Sequence, residues 1–263
     1  MPPDLSQAIR AALLTGNKRA KIMQTRSLVR RWRRGELAGG FTVAMPDHPA
    51  WPETLQVLAP AKMPRRGKGG SQRSRIALWH ALAHIEFVAI DLALDIVGRF
   101  GAAMGDTFVA DFLAVAADEA MHFALIERHL ASMGAQYGDL PAHGGLWQSA
   151  ADTAHAVDAR LAIVPMVLEA RGLDVTPATL ERVRSFGDER GARILQRILD
   201  DEIRHVLAGS THFDAWCAAN GKNPQNHWRL LVKRHFRGGI RPPFNDSARL
   251  AAGLPRGLYQ DVA

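Results

Sequence analysis

The chain has 263 residues, 47% of them hydrophobic, which is enough to bury a core in one main domain and leave residues over for arms. A single cysteine, Cys217, excludes an intrachain disulfide and a thiolate metal cluster and suits a reducing cytosol. The formal net charge of +7 is unevenly spread: residues 1–75 carry 15 Lys+Arg against 4 Asp+Glu, residues 76–219 carry 10 against 20, and residues 220–263 carry 8 against 2.

In chain order, the N-terminus MPPDLSQAIRAALLTGNKRAK lacks a basic segment ahead of a long apolar run. The uninterrupted apolar stretches, such as LAIVPMVL, are too short to span a bilayer, so the expectation is a soluble, cytoplasmic protein with no membrane partner. A helix is predicted from Leu5 to Leu14, followed by the basic stretch RSLVRRWRRGEL. The scattered prolines and glycines of FTVAMPDHPAWPETLQVLAPAKMPRRGKGGSQRSR then predict an extended arm and linker. From Gln72 the texture changes to Ala- and Leu-rich segments at helical period. Four long helices are predicted, over Gln72–Arg99, Asp106–Met133, Gln148–Arg171 and Asp188–Trp216, with a short helix beginning at Pro177 after the cap candidate Thr176. From Asn220 the chain is again rich in Pro and Arg and reads as an irregular arm. The expected organisation is therefore a basic N-terminal helix and arm over 1–71, an all-α four-helix bundle over 72–219, and a basic C-terminal arm over 220–263 packed on that bundle.

Each long helix places a glutamate on its own apolar stripe. Trp79, Ala83, Ile90 and Ala93 surround Glu86, while Phe112, Val115, Phe123 and Ile126 surround Glu119 and His122. Ala162, Pro165 and Met166 lead to Glu169, and Ile194, Leu195, Ile198 and Val206 surround Glu202 and His205. Glu86 precedes Glu119 by the same 33 residues that separate Glu169 from Glu202, so the chain repeats one pattern, Glu and then Glu-x-x-His. An isolated buried carboxylate costs on the order of tens of kcal/mol by Born estimates, so such groups must be neutralised. Two divalent cations would balance four glutamates. Two imidazoles complete a set of one Glu from each of two helices and Glu-x-x-His from each of the others, which is how ferritin-like di-metal bundles are built. The aspartates before the two motifs, Asp118 and Asp201, are candidates to accept the second N–H of a metal-bound histidine, each serving the histidine of the opposite pair. Pro165, four residues before Glu169, removes a helix hydrogen bond and can open room beside the metal. His80 and His84 lie one turn apart but away from the Glu86 face and lack a third ligand, so a structural or surface role is expected of them.

At these residues the sequence resembles the ferritin-like superfamily. More narrowly it resembles the bacterial family catalogued as domain of unknown function 455, through HALAHIEFVAIDLALD, DEAMHF, YGDLPAHGGLW, VPMVLEARGLDVTP, DDEIRHV and RPPFNDSAR, over about residues 40–255. The resemblance implies a ferritin-like four-helix bundle with a di-iron-type site. One departure is expected in the third helix, which reads as ending at Arg171–Gly172.

Carboxylate and imidazole ligands suit iron or manganese. The expected function is reductive activation of O2 or peroxide by a di-iron, or Mn/Fe, oxidase or monooxygenase, with an organic substrate and an electron donor that the sequence does not identify. The superfamily includes tRNA-hydroxylating monooxygenases, and Trp32 and Trp228 among arginines fit an RNA partner. The basic arms fit equally an intramolecular role against the acidic middle. The alternative function is iron handling or peroxide removal without an organic substrate, as a ferroxidase or as a storage protein in a homo-oligomeric assembly.

Overall fold

The computed structural model describes residues 4–37, 39–64 and 70–260, and those residues are helical apart from loops and isolated bridge residues, which include the parallel pair Val57 and Ala142. Residues 65–69 of the predicted linker lie outside the described residues. No helix among the described residues is long and apolar enough to cross a membrane. The chain divides into two compact units, Met1–Trp147 and Gln148–Ala263.

In the first unit, α1 (Leu5–Leu13) starts at Asp4, whose side chain accepts the Ser6 N–H. A second helix, α2 (Lys18–Arg33), then forms where sequence suggested only a basic stretch. Asn17 caps it by accepting the Ala20 N–H, and its buried stripe is Lys21, Thr25, Leu28 and Val29. Two polar residues on that stripe hid the period. The arm over 39–64 is largely non-helical, as expected, and is held by side chains: Arg99 donates to the Pro46 carbonyl, Trp147 Nε1 to Asp47 and Lys21 Nζ to Ala50.

The unit's core is the pair α3 (Gln72–Met104) and α4 (Asp106–Ser132). Ser71 caps α3, which runs five residues beyond its predicted end. Gly105 alone reverses the chain at φ +85°, a conformation that a Cβ would oppose. Contacts of Phe87 with Phe123 and of Trp79 with His129, at ring separations of 5.0 and 4.4 Å, fix an antiparallel register.

Across the boundary, α5 (Gly145–Asp152) covers the first residues of the predicted third helix, the chain leaves the helix at 153–156, and α6 (Val157–Ile163) resumes it in the second unit. A π-helical turn follows at Val164–Glu169, and the helix continues without a break as α7 (Ala170–Ser185). The predicted end at Arg171–Gly172 and the new start at Pro177 are thus corrected. Pro177 lacks the N–H that would reach the Leu173 carbonyl. Asn245 Nδ2 donates to that carbonyl at 3.2 Å instead, so the helix survives its proline. Gly172 permits close approach rather than ending the helix, since a Cβ there would lie 3.3 Å from Glu202 Oε1.

Helix α8 (Glu189–Ala219), capped by Asp188, packs against α7 and the π turn. A Cβ on Gly209 would fall 2.3 Å from Pro165 Cβ, so only glycine admits the proline there. The C-terminal arm is not irregular: it forms α9 (Pro224–His235), α10 (Asp246–Ala251) and α11 (Arg256–Tyr259). Asn223 and Pro224 start α9, and Trp228, Leu231 and Val232 bury its apolar face.

Each unit contains one fully buried ion pair from its basic arm. Lys21 meets Asp91 of α3 with both side chains at 0% exposure, and Trp51 Nε1 donates to the same carboxylate at 3.2 Å. Arg249 holds Asp174 of α7 with two bonds of 2.8 and 2.7 Å. Removing one member of such a pair strands a buried charge. Lys21→Met is expected to lower stability by about 3–5 kcal/mol in denaturant unfolding. Adding Asp91→Leu is expected to recover most of the loss, whereas additive losses in the double variant would show that the pair is not the source.

Candidate metal centre

The antiparallel register of α3 and α4 brings together three residues singled out from the sequence. Glu86, Glu119 and His122 each offer a ligand atom within 4.8 Å of the others, and all three are buried. His122 Nδ1 lies 3.2 Å from Glu86 Oε2 and 3.4 Å from Glu119 Oε2, so this nitrogen faces both carboxylates. Burial, joined by the neighbouring Glu119 charge, raises the Glu86 carboxyl far above the usual range. Burial alone would lower the His122 imidazolium, but hydrogen bonds and charges from Glu119 and Glu86 overcome it and raise the group strongly. The metal-free cluster therefore keeps a proton between its carboxylates, and a cation with two oxygens and one imidazole nitrogen to coordinate would compete for the same place.

The second unit repeats the spacing. His205 Nδ1 lies 3.1 Å from Glu202 Oε2 on α8, and His205 is buried. The approaches of Gly172 to Glu202 and of Pro165 to Gly209 set an antiparallel register that puts Glu169 level with His205. Glu86 and His122 are likewise matched in the first unit. Glu169 closes the π turn and is half-buried. The loosened turn appears where Pro165 was expected to disturb the helix; π turns of this kind recur at functional sites.

Asp118 is half-buried on α4, next to Glu119. Asp201 is buried and takes Arg197 Nε at 2.5 Å and Arg204 Nη2 on its two oxygens. Arg171 donates to the carbonyls of Arg241 and Pro243, at 2.6 and 3.2 Å.

Sequence reasoning missed Asp91 and Asp174, although a signal was present. The first unit's Glu86, Asp91, Asp118, Glu119 and His122 recur 83 residues later as Glu169, Asp174, Asp201, Glu202 and His205. Both missed aspartates lie five residues beyond the first glutamate of their helix pair and take the buried cation of an arm. Burial raises the Asp91 carboxyl to about 6 against the pull of Lys21.

His80 and His84 have the structural role. His80 Nε2 accepts the backbone N–H groups of Gly138 and Leu140 at 3.0 and 3.3 Å. His84 joins the Tyr137 hydroxyl at 2.8 Å through Nδ1 and the His143 carbonyl at 3.0 Å through Nε2. The carbonyl can only accept, so Nε2 carries the proton and Nδ1 accepts from tyrosine.

A buried helical carboxylate and histidine cluster of this kind defines a candidate metal-binding α-protein. The family model described as "Protein of unknown function (DUF455)" matches residues 14–260, and the chain belongs to that family. A Haemophilus influenzae protein described as "Uncharacterized protein" is 41% identical over 215 residues, covering 78% of this chain and 73% of that one. No solved structure matches.

Burial, only partly offset by the His143 carbonyl, lowers His84 to about 4. A histidine with a depressed folded pKa contributes stability above its unfolded value near 6.5, and that contribution is lost as pH falls toward 4. Metal-free protein should lose up to about 3 kcal/mol from this group over that window. Unfolding free energies measured at several pH values should fall less steeply in His84→Gln; an unchanged slope would reject the assignment.

Proposed function

We propose that the chain is a ferritin-like di-metal carboxylate protein in which Glu86, Glu119 and His122, with Glu169, Glu202 and His205, supply the donors for two ions, iron or manganese. The observation that supports this most directly is the buried Glu86–Glu119–His122 cluster, whose ligand atoms already lie within coordinating reach. The 83-residue recurrence of the same residue types supports a second set. In this reading Asp118 and Asp201, each one residue before its Glu-x-x-His motif, are candidates to accept the second N–H of a metal-bound histidine, which would fix the tautomer that leaves Nδ1 for the metal. The bound ions would supply reductive activation of O2 or peroxide, and the protein is an oxidase or monooxygenase acting on an organic substrate. The chain's own part is to hold four carboxylates and two imidazoles rigidly on helices and to exclude water with Phe87, Phe112, Phe123 and Ile126, all buried.

Anaerobic Fe(II) titration of the purified chain is expected to reach two irons per chain. Mössbauer spectra after O2 exposure should show a magnetically coupled pair. Glu119→Ala and Glu202→Ala should each lose iron and the coupling. Two uncoupled ions would reject the shared centre, and no uptake would reject the metal reading. Rapid O2 consumption with formation of ferric mineral and no need for an organic substrate would favour iron handling.

A second reading concerns RNA, and one face of α2 favours it. Arg19, Arg26, Arg30 and Arg33 are exposed there at spacings of seven, four and three residues, a single stripe of positive charge. Lys18 and Lys21 do not contribute to that stripe, because Glu127 and Asp91 take them internally. Binding to single-stranded RNA should weaken steeply with salt. Replacing the four arginines by glutamine should reduce that salt slope; an unaltered slope would remove RNA as a partner of this face.

A further inference from the structure

Two motifs remain outside the metal reading: the HALAHI stretch of α3 and the YGDLPAHGGLW loop that follows α4. They meet on the side of α3 turned away from Glu86 and, with Met63 and Pro64 of the arm, enclose a cavity of about 400 Å³ within the first unit. That volume is in the range of small-molecule sites. Ala77, Ala81 and Ile85 of α3 and Leu140 and Leu146 of the loop make its wall apolar, and Ile85 is 45% exposed, unusual for a large apolar side chain in a helical core segment.

The polar groups available on this wall are donors. Arg73 lies at the rim, exposed, with no ion pair among the described residues. His80 is 2% exposed and lines the cavity; its Nε2 accepts two loop N–H groups, so the ring's proton is on Nδ1. That Nδ1–H has no hydrogen-bond partner among the described residues and is not sealed from solvent, so it is free to donate to an acceptor in the cavity. Of the other two histidines on the wall, His84 has both nitrogens engaged, and His143 Nδ1 accepts the Gly145 N–H at 3.3 Å.

We propose that this cavity binds a small organic carboxylate with an apolar aliphatic or aromatic body. The carboxylate is held at Arg73, the body lies against Ala77, Ala81, Ile85 and Leu140, and an oxygen of the ligand accepts from His80 Nδ1. The site stands apart from the metal ligands and does not depend on them. His80 and His84, whose pKa values burial lowers, stay neutral at pH 7, so Arg73 is the charge that selects an anion over a neutral analogue.

The test is isothermal titration of the metal-free full chain with octanoate, benzoate and 2-naphthoate, and with 1-octanol as the neutral control. At least one of the acids is expected to bind one per chain and more tightly than 1-octanol does. Ala81→Phe and Ala77→Met place bulk into the cavity from half-exposed positions, so at least one should keep the parent melting curve. Each folded variant should weaken binding by about tenfold or more. Arg73→Gln should weaken the acid by about fivefold and leave 1-octanol unchanged. The proposal is overturned if none of the acids binds at millimolar concentration, if 1-octanol binds as tightly as the acids, or if a folded cavity-filling variant binds as well as the parent chain.

Discussion

The structure depends on placing negative charge in an apolar helix interface. Glu86 and Glu119 sit among Phe87, Ala116, Ala120 and Phe123, where an uncompensated carboxylate would cost more than the whole net stability of a domain. His122 meets that cost locally by facing both oxygens, which makes the cluster a cation site whether the cation is a proton or a metal. Convergence is strict, because a one-residue slip rotates a helical side chain by about 100° and would turn one ligand out of the set. The single-residue turn at Gly105 leaves α3 and α4 little freedom to slip, so the hinge and the ligands form one constraint.

The same logic explains the basic arms. The middle of the chain carries more acid than the candidate ligands account for, and two of those acids, Asp91 and Asp174, are buried on the helices that carry Glu86 and Glu169. Each is answered from an arm, by Lys21 from the N-terminal side and Arg249 from the C-terminal side, and each cation also lies over aromatic rings: Lys21 on Phe87, Arg249 on Phe244 and Tyr259. A buried pair of this kind adds little net stability over an apolar substitute but penalises any arrangement that leaves one charge unmet. The arms are therefore registration devices for the glutamate-bearing helices, five residues from the first ligand in both units.

Much of this was legible in the sequence, and the reason is periodicity. Helices α3, α4 and α8 have long apolar stripes in which a carboxylate is an anomaly, so both their extents and Glu86, Glu119, His122, Glu202 and His205 could be read directly. Helix α2 could not, because Lys21 and Thr25 occupy buried positions that pattern reading assigns to solvent; the partner that makes Lys21 tolerable, Asp91, is 70 residues away. Helix α7 failed for the related reason that its two local breakers answer to distant groups: Gly172 leaves room for the Glu202 side chain, and the carbonyl that Pro177 leaves unmet is taken by Asn245. The RPPFNDSAR stretch looked like tail composition, yet it contributes Asn245 and Arg249, the groups that keep α7 whole. Local rules failed where long-range contacts carried the cost.

The two units are not equivalent, and the difference lies in the π turn. Glu86 and Glu119 are buried on regular helices, whereas Glu169 and Glu202 are half-buried, one at the end of the π turn and the other beside Gly172. Pro165 lacks a backbone donor and packs directly on Gly209, which holds the turn against α8 while leaving the backbone before Glu169 loosely wound. Burial strengthens charge interactions and slows exchange with water, and partial exposure does the reverse. Within the proposed di-metal reading, the first set is thus the rigid, dry half that fixes an ion. The second set, with its carboxylates nearer solvent, would on that reading be the half at which an ion exchanges.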